Sequence, residues 1–411
     1  MLQKILALLI PIVTVCFILI TAVSIIAYGR GYRFDFTKKS VNSTGLVVVS
    51  SEPSGAQIII DGKVKTATQA TLTLPPGTYT ISVAKQGFQS WTKTIKVQGE
   101  VVNKIDAFLV PANPSLTALS VTGVANPTLS PDGSRLAYAV PVVPATVSAS
   151  VADNPGIWIL DLVDRPLSLN RDARQIVVSA GLDFSKAVLQ WSPDGKQLEA
   201  TLPSGAAYLL DTDKLNVVPQ LAPPAKTLQA SWQILKDQRD KEQRAALPKL
   251  FTDIATSSAK ILAFSPDETR ILYQATAAAT IPPIITPPLI GTNPTEETRM
   301  IKPDMLYVYD VKEDRNYQLM EYKVPVAKLG SKVITAPPPL PQWLPNSRNL
   351  VYVNHDKVEV RDYDSTNVRT VYAGPFWDSF AVPWASGGKV VILTNLNTAS
   401  QINNLYLVNL Q

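Results

Sequence analysis

Three aspartates recur in one setting: Asp132 in "LSPDGSRLAY", Asp194 in "WSPDGKQLEA" and Asp267 in "FSPDETRILY". Carboxylates brought together from separate segments can hold Ca²⁺, or can divide into the acid and base of a glycosidase. Asp beside Pro and Gly is also ordinary turn chemistry, with the carboxylate bonded to nearby backbone N–H groups. Because the three lie in separate copies of one pattern, turn capping is the expected role. Other reactive residues are few. The single His, His355 in "VNHDK", rules out a His-x-x-x-His metal pair and is expected at a turn between strands. The single Cys, Cys16, rules out an intrachain disulfide and a thiolate cage. There is no Gly-x-Ser-x-Gly elbow, no phosphate-cradling Gly-Lys loop and no dinucleotide fingerprint. No catalytic, cofactor-binding or metal-ligating residue is therefore assigned, and the chain reads as a non-enzyme with no cofactor.

The elements around those aspartates repeat as well. "WLPNSRNLVY" from Trp343 and "WASGGKVVIL" from Trp384 align with the three Asp copies, which makes five hairpins. Each opens on a large apolar residue: Leu129, Trp191, Phe264, Trp343 and Trp384. The third and fourth copies have Glu268 and Ser347 where Gly would tolerate a positive φ, so those turns must differ or carry strain. A further strand follows each hairpin, as in "GIWILDL", "AAYLLDT", "MLYVYDV", "KVEVRDY" and "NLYLVNL". Most copies add a fourth, such as "RQIVVSA" and "VRTVYAG". Repeated groups of four short antiparallel strands describe propeller blades. The last copy lacks a fourth strand, and "SLTALSV", Ser115–Val121, is free upstream to supply it. These repeats resemble the β-propeller of the periplasmic protein of the Tol-Pal system (TolB-like). The repeats count to five blades, or six if a divergent one is hidden in an insertion.

Between the propeller repeats and the N-terminus lies a stretch of short β-rich runs. It holds Pro53-Ser54-Gly55-Ala56, Asp61-Gly62, Pro76-Gly77-Thr78-Tyr79 and Gly87-Phe88. In that order these motifs resemble the PEGA domain, with Ser54 in place of the Glu of the name. The resemblance implies a small, non-catalytic, extracytoplasmic module. About six strands are expected, as a small antiparallel β-sandwich. Ahead of it, Ile5 to Tyr28 carries no charge. As a helix this run is about 36 Å long, enough to cross a hydrocarbon core of about 30 Å. A membrane anchor is expected rather than a cleaved signal peptide. Arg30, Arg33, Lys38 and Lys39 follow the span against Lys4 before it, a bias that favours a cytoplasmic C-terminal bulk. The PEGA-like and Tol-like content favours the opposite side.

The fold class is thus mainly β: an N-terminal transmembrane helix, a small sandwich, then a five-bladed propeller with a helical insertion. The expected segments are an anchor over 1–29, a linker over 30–44, the PEGA-like sandwich over 45–110 and the propeller over 111–411. Within the propeller, 225–257 reads as a helical insertion, with Leu228, Trp232 and Leu235 at helical spacing and Pro248 dividing two helices. A second insertion, 277–303, is rich in Pro and aliphatic residues and cannot form a regular central strand. Long apolar loops in a compact repeat fold are places where partner surfaces are built. Trp232, Ile284, Ile285 and Leu289 are the candidate partner surface.

The net charge of +5 over 411 residues, with no basic block interleaved with aromatics, argues against nucleic acid. The leading reading is a single-pass membrane protein with extracytoplasmic domains that bind or scaffold a cell-envelope protein or glycan. The alternatives are a propeller hydrolase acting on envelope glycans or small molecules, and a ligand-binding receptor that works with a separate signalling partner.

Overall fold

The computed structural model describes the chain except for residues 1, 30–31, 36–39, 143–153, 165–172, 180, 246, 324–325, 330–331, 336–337, 355, 376, 378 and 397–401. His355 therefore lies outside the described residues. The chain divides into two compact units, 1–109 with 285–295, and 110–284 with 296–411.

The first unit begins with helix α1, Leu2–Gly29, which contains Pro11. From Pro11 to Gly29 it is long and apolar enough to cross a membrane and is covered by nothing. Phe17 and Ile20 stand out at 69% and 66% exposure, as a lipid-facing or cleaved segment would. The sandwich that follows has seven strands rather than six, in a three-stranded and a four-stranded sheet. It is not wholly antiparallel. Gly45–Glu52 runs parallel to Val102–Phe108, from Leu46 opposite Val102 to Glu52 opposite Phe108. The last strand returns to the first through the whole domain, and only such a long path permits parallel neighbours.

The motif residues have clear tasks in this unit. Ala56 is fully buried in the core with Ile58, Ile81, Val83 and Trp91. Its N–H donates to Thr68 Oγ1 at 3.0 Å. Gly55, Gly62 and Gly87 hold φ near +73°, +78° and +83°, the region where a Cβ costs most. The Asp61 carboxylate accepts from the Thr80 N–H at 2.9 Å and so pins one hairpin to the next strand. Residues 285–295 belong to this unit too: a Cβ on Gly291 would stand 2.7 Å from Val101 Cγ1.

The second unit holds five four-stranded antiparallel sheets among the described residues. Sheet I is Ala125–Leu129, Arg135–Val140, Gly156–Asp161 and Arg174–Val178. Sheet II is Val188–Trp191, Gln197–Thr201, Ala207–Asp211 and Gln220–Leu221. Sheet III is Ala259–Phe264, Arg270–Ala275, Met305–Asp310 and Arg315–Glu321. Sheet IV is Gln342–Trp343, Asn349–Asn354, Lys357–Asp362 and Arg369–Ala373. Sheet V draws Ala381–Pro383, Lys389–Thr394 and Asn404–Asn409 from one end and Leu116–Ala118 from the other. Leu116, Thr117 and Ala118 lie opposite Val408, Leu407 and Tyr406. The pairing is extended by Asn409 N–H to Ser115 O at 3.0 Å and Leu119 N–H to Leu405 O at 2.8 Å.

The repeated turns are built one way. The residues at the corner, Ser130, Ser192, Ser265, Leu344 and Trp384, each donate a backbone N–H to the carbonyl five residues on, at 2.8–2.9 Å. The residue three positions after each corner is left-handed: Gly133 at +72°, Gly195 at +69°, Glu268 at +55°, Ser347 at +60° and Gly387 at +92°. Glu268 and Ser347 therefore make the same turn as glycine and bear the strain. The fifth copy is displaced by one residue from its sequence alignment. Trp384, not Ala385, occupies the corner, because Gly387 is the glycine placed to take the left-handed conformation.

Neighbouring sheets bury their faces against each other. Sheets I and II share a core around Ile159, Phe184, Trp191 and Leu198. Sheets V and I share one around Tyr138, Leu160, Trp384 and Leu407, and sheets III and IV one around Leu306, Tyr317, Trp343 and Tyr352. Between IV and V, the Tyr372 hydroxyl meets Thr394 Oγ1 at 3.4 Å. A cation at the start of the second strand crosses three of these junctions. Arg135 of sheet I donates to Gly195 O and to Asp213 of sheet II at 2.7 and 3.0 Å. Arg270 of sheet III donates to Ser347 O of sheet IV at 3.0 Å, lies 4.1 Å from the Tyr363 ring and pairs with buried Asp310 at 2.8 Å. Lys389 of sheet V reaches Asp164, beyond the third strand of sheet I, at 3.0 Å. Sheet II has Gln197 at that position. Between II and III the chain inserts helices α2, Ala225–Ala245, and α3, Lys249–Ser257, instead.

Two outcomes follow for purified protein. Gly133→Ala should lower stability by about 1 kcal/mol, because a Cβ there meets no atom and only the left-handed backbone opposes it. Glu268→Gly should raise stability, by less than about 1 kcal/mol, since the gained backbone entropy of the unfolded chain offsets part of the relief. Urea melts of the two variants check the signs. Deleting Leu405–Gln411 should lower the melting temperature of the whole second unit, because it strips the partner of Leu116–Ala118 and the centre of sheet V. A truncated protein that melts like the parent would contradict this.

Candidate functional site

A cavity of about 1100 Å³ opens where sheets II and III are not latched together. Sheet I gives it Pro131 and Asp132, sheet II Trp191 and Pro193, and sheet IV Trp343. The first strand of sheet III lines it along its full length, from Ala259 to Phe264. Its remaining wall is helical.

The helical wall follows from the sequence of α2. Leu228 and Trp232 are buried, at 5% and 6% exposure. Continued at helical spacing, their face becomes Lys236, Arg239, Asp240, Gln243, Arg244 and Leu247, all on the cavity. The first half of one helical face is thus packed and the second half overlooks open space. Leu235, expected on the buried face, is 40% exposed, because it lies one residue off that line. Helix α3 fixes the insertion from the other side. Phe251 is 1% exposed, stacks on Tyr309 at 4.3 Å and meets Tyr273 edge-on at 5.6 Å.

The lining is aromatic on the strands and charged on the helix. Four cations, Lys236, Arg239, Arg244 and Lys260, face three carboxylates, Asp132, Asp240 and Glu268. One of those carboxylates is already committed. Asp132 accepts from the Ser130 and Ser134 hydroxyls at 2.5 and 2.6 Å. Burial alone would raise its pKa, but those hydrogen bonds outweigh it and hold the carboxyl below the usual range. Asp194 and Asp267 repeat the arrangement with Ser192 and Ser265, at 2.6 and 2.7 Å, and both are held low in the same way. The aspartates therefore brace turns, and no cluster suited to a metal occurs among the described residues. Trp343 is 8% exposed, and its indole N–H has no acceptor.

The four residues expected to form a partner surface are divided by the fold. Trp232 is buried beneath α2. Ile284 packs against the core of Phe251, Tyr273 and Ile301, and its N–H donates to Asp314 at 2.7 Å. Both hold the insertions in place rather than face solvent. Ile285 and Leu289 belong to the first unit, where Leu289 is 44% exposed. Of the cavity residues, Asp132, Trp191, Phe264, Glu268 and Trp343 stand out in the sequence only as repeat positions, and those of α2 not at all. Lys236, Arg239, Gln243 and Arg244 look like a solvated helix face until the missing latch between sheets II and III is seen.

Residues 44–113 match the PEGA domain. No curated protein matches the chain. Among solved structures, TolB from Acinetobacter baumannii is 13% identical over 94% of this chain and 67% of its own, with a TM-score of 0.20. The CNH domain of AfRom2 is 9% identical over 72% of this chain and 100% of its own, at 0.28. Hsv2 from Kluyveromyces lactis is 9% identical over 67% and 71%, at 0.23. Superpositions this loose carry neither activity nor partner across to this chain.

The braced turns set an acid limit. A carboxyl whose folded pKa lies below its unfolded value of about 4 stabilises the fold above that pH, and the benefit fades as pH falls through the folded value. The melting temperature should therefore drop as pH is lowered from about 4. A triple variant, Asp132→Asn with Asp194→Asn and Asp267→Asn, should be less stable at pH 7 and lose less on acidification. Calorimetric melts from pH 7 down to pH 2.5 measure both slopes.

Proposed function

We propose that the chain is a membrane-anchored binding protein of the cell envelope. Helix α1 is its single span, and the PEGA domain and a propeller lie on the extracytoplasmic side. The five sheets are its blades. Leu116–Ala118 completes the last blade and closes the ring, and α2 with α3 occupies the junction between sheets II and III. The cavity at that junction receives the partner. One observation carries this reading: a space lined by Trp191, Phe264 and Trp343 has as its other wall a stripe of cations that make no ion pair among the described residues. Nothing in the cavity supplies a paired acid and base or a nucleophile with its activator, so the role is recognition.

A photo-crosslinking amino acid in place of Gln243, in the full chain in its own membrane, tests this. A discrete adduct is expected. The same residue in place of Ile234, which is 68% exposed and off the cavity, should give none. Equal adducts from both positions, or none from Gln243, would overturn the reading.

A further inference from the structure

The cavity's two long walls differ in a way that specifies its occupant. We infer that it takes an extended acidic polypeptide segment, added as a strand along Ala259–Phe264 beneath the cationic stripe of α2. The inference rests on the cavity reading above and adds the chemical class of the partner.

The strand wall supplies the first argument. Ala259–Phe264 pairs with Arg270–Ala275 on one side only and forms the edge of sheet III. All six of its residues line the cavity, and so does Ser265 beyond it. An edge strand presents unpaired N–H and C=O groups on its open side, and an extended peptide satisfies them by joining the sheet. Sheet II has no such wall there, since only Trp191 of its first strand lines the cavity. The strand bulges between Ile261 and Ala263, yet its row of backbone donors and acceptors on either side of the bulge suits a peptide, whereas a sugar polymer has no matching repeat along its length.

The helix wall supplies the second. Lys236, Arg239 and Arg244 lie on one face of α2, and Lys260 projects from the strand itself. None of the four has an ion pair among the described residues. Asp132, Asp240 and Glu268 are the three carboxylates that oppose the four cations on the lining. The surplus is one positive charge, concentrated on α2 where three cations accompany Asp240, and it favours a segment bearing carboxylates. The helical stripe from Lys236 to Arg244 is about 12 Å long, and a six-residue strand is about 20 Å long. The two walls can therefore address the same stretch of about four extended residues. Trp191, Phe264 and Trp343 offer apolar surface to side chains between the acids.

The experiment uses the full chain in lipid nanodiscs and a fluorescein-labelled peptide, Glu-Val-Glu-Thr-Glu-Val-Glu-Thr, followed by anisotropy. Binding is expected, weakening as salt is raised. The lysine-for-glutamate peptide should bind at least tenfold more weakly. The acidic peptide N-methylated at alternate residues keeps its charge but cannot pair along one edge, and it should also lose at least tenfold. Arg239→Glu with Arg244→Glu should weaken the acidic peptide at least tenfold with an unchanged melting temperature, since neither side chain is paired.

Undiminished binding of the N-methylated peptide would overturn strand addition. Polygalacturonate binding in preference to the peptide would overturn the polypeptide class and leave the cavity reading intact. Failure of every probe, with the Gln243 adduct still formed, would overturn the inference alone. Failure of probes and adduct together would overturn both.

Discussion

A sheet of four strands, each two to seven residues long, has two faces and too little of anything else to cover them. That constraint governs the second unit. In sheet I the strand Leu136–Val140 is buried throughout, and Leu350–Tyr352 in sheet IV is buried likewise. No single sheet can be stable alone with both faces so apolar. Each must lie between two neighbours, and the shared cores of I with II, III with IV and V with I meet that need. The cations at the junctions are a consequence. Arg270 is tolerated between sheets because Asp310, a ring face and a carbonyl surround it, and removing its carboxylate partner would strand a buried charge at a cost of about 3–5 kcal/mol. Where sheet II offers Gln197 instead, the junction is filled by helices that cover it incompletely, and the incomplete cover is the cavity.

Local chemistry was legible in the sequence, and long-range chemistry was legible only in part. Pro-Asp-Gly marks two of the hairpins, and Pro-Asp-Glu and Pro-Asn-Ser keep the same frame in two more, so four of the five turns are placed to the residue. The fifth slips by one because "WASGGKVV" has two glycines and no Asp to fix the frame. The partner of Asn404–Asn409 could be read because a four-strand count left one vacancy and one spare strand. The parallel pairing of Gly45–Glu52 with Val102–Phe108 could not, since strand periodicity says which faces are buried and nothing about direction. Trp232 and Ile284 are apolar residues in insertions, and sequence does not say whether such residues face a partner or the protein's own core. Here they face the core. The cavity was illegible for a related reason: its cations are ordinary surface residues on α2, and only the spacing of sheets II and III gives them something to overlook.

The turns show how a repeat tolerates drift. Glu268 and Ser347 keep the left-handed backbone that glycine would adopt freely, and Leu344 and Asn346 replace the Ser and Asp of the first three corners. At Asn346 the side-chain carbonyl accepts from Arg348 and Asn349 N–H at 3.0 and 3.1 Å, so an amide does the work of a carboxylate. The backbone ladder, common to all five, keeps the turn. The side chains only tune its stability and its response to acid.

The joining of Ser115 to Asn409, 294 residues apart, bears on how the chain is made. A ribosome adds about 5–20 residues per second. The strand at 116–118 therefore emerges roughly 15–60 s before its partner exists, far longer than a hairpin needs to form. Sheets I to IV have all their strands in hand during that wait, while the bare edge at 116–118 and the uncovered flank of sheet I remain open. A chain that is also crossing or lying against a membrane would hold an adhesive strand in company with whatever chaperone or neighbour is there. Assembly can thus follow chain order for sheets I to IV, while the fifth waits for Asn404–Asn409, the clasp that ends the period of risk.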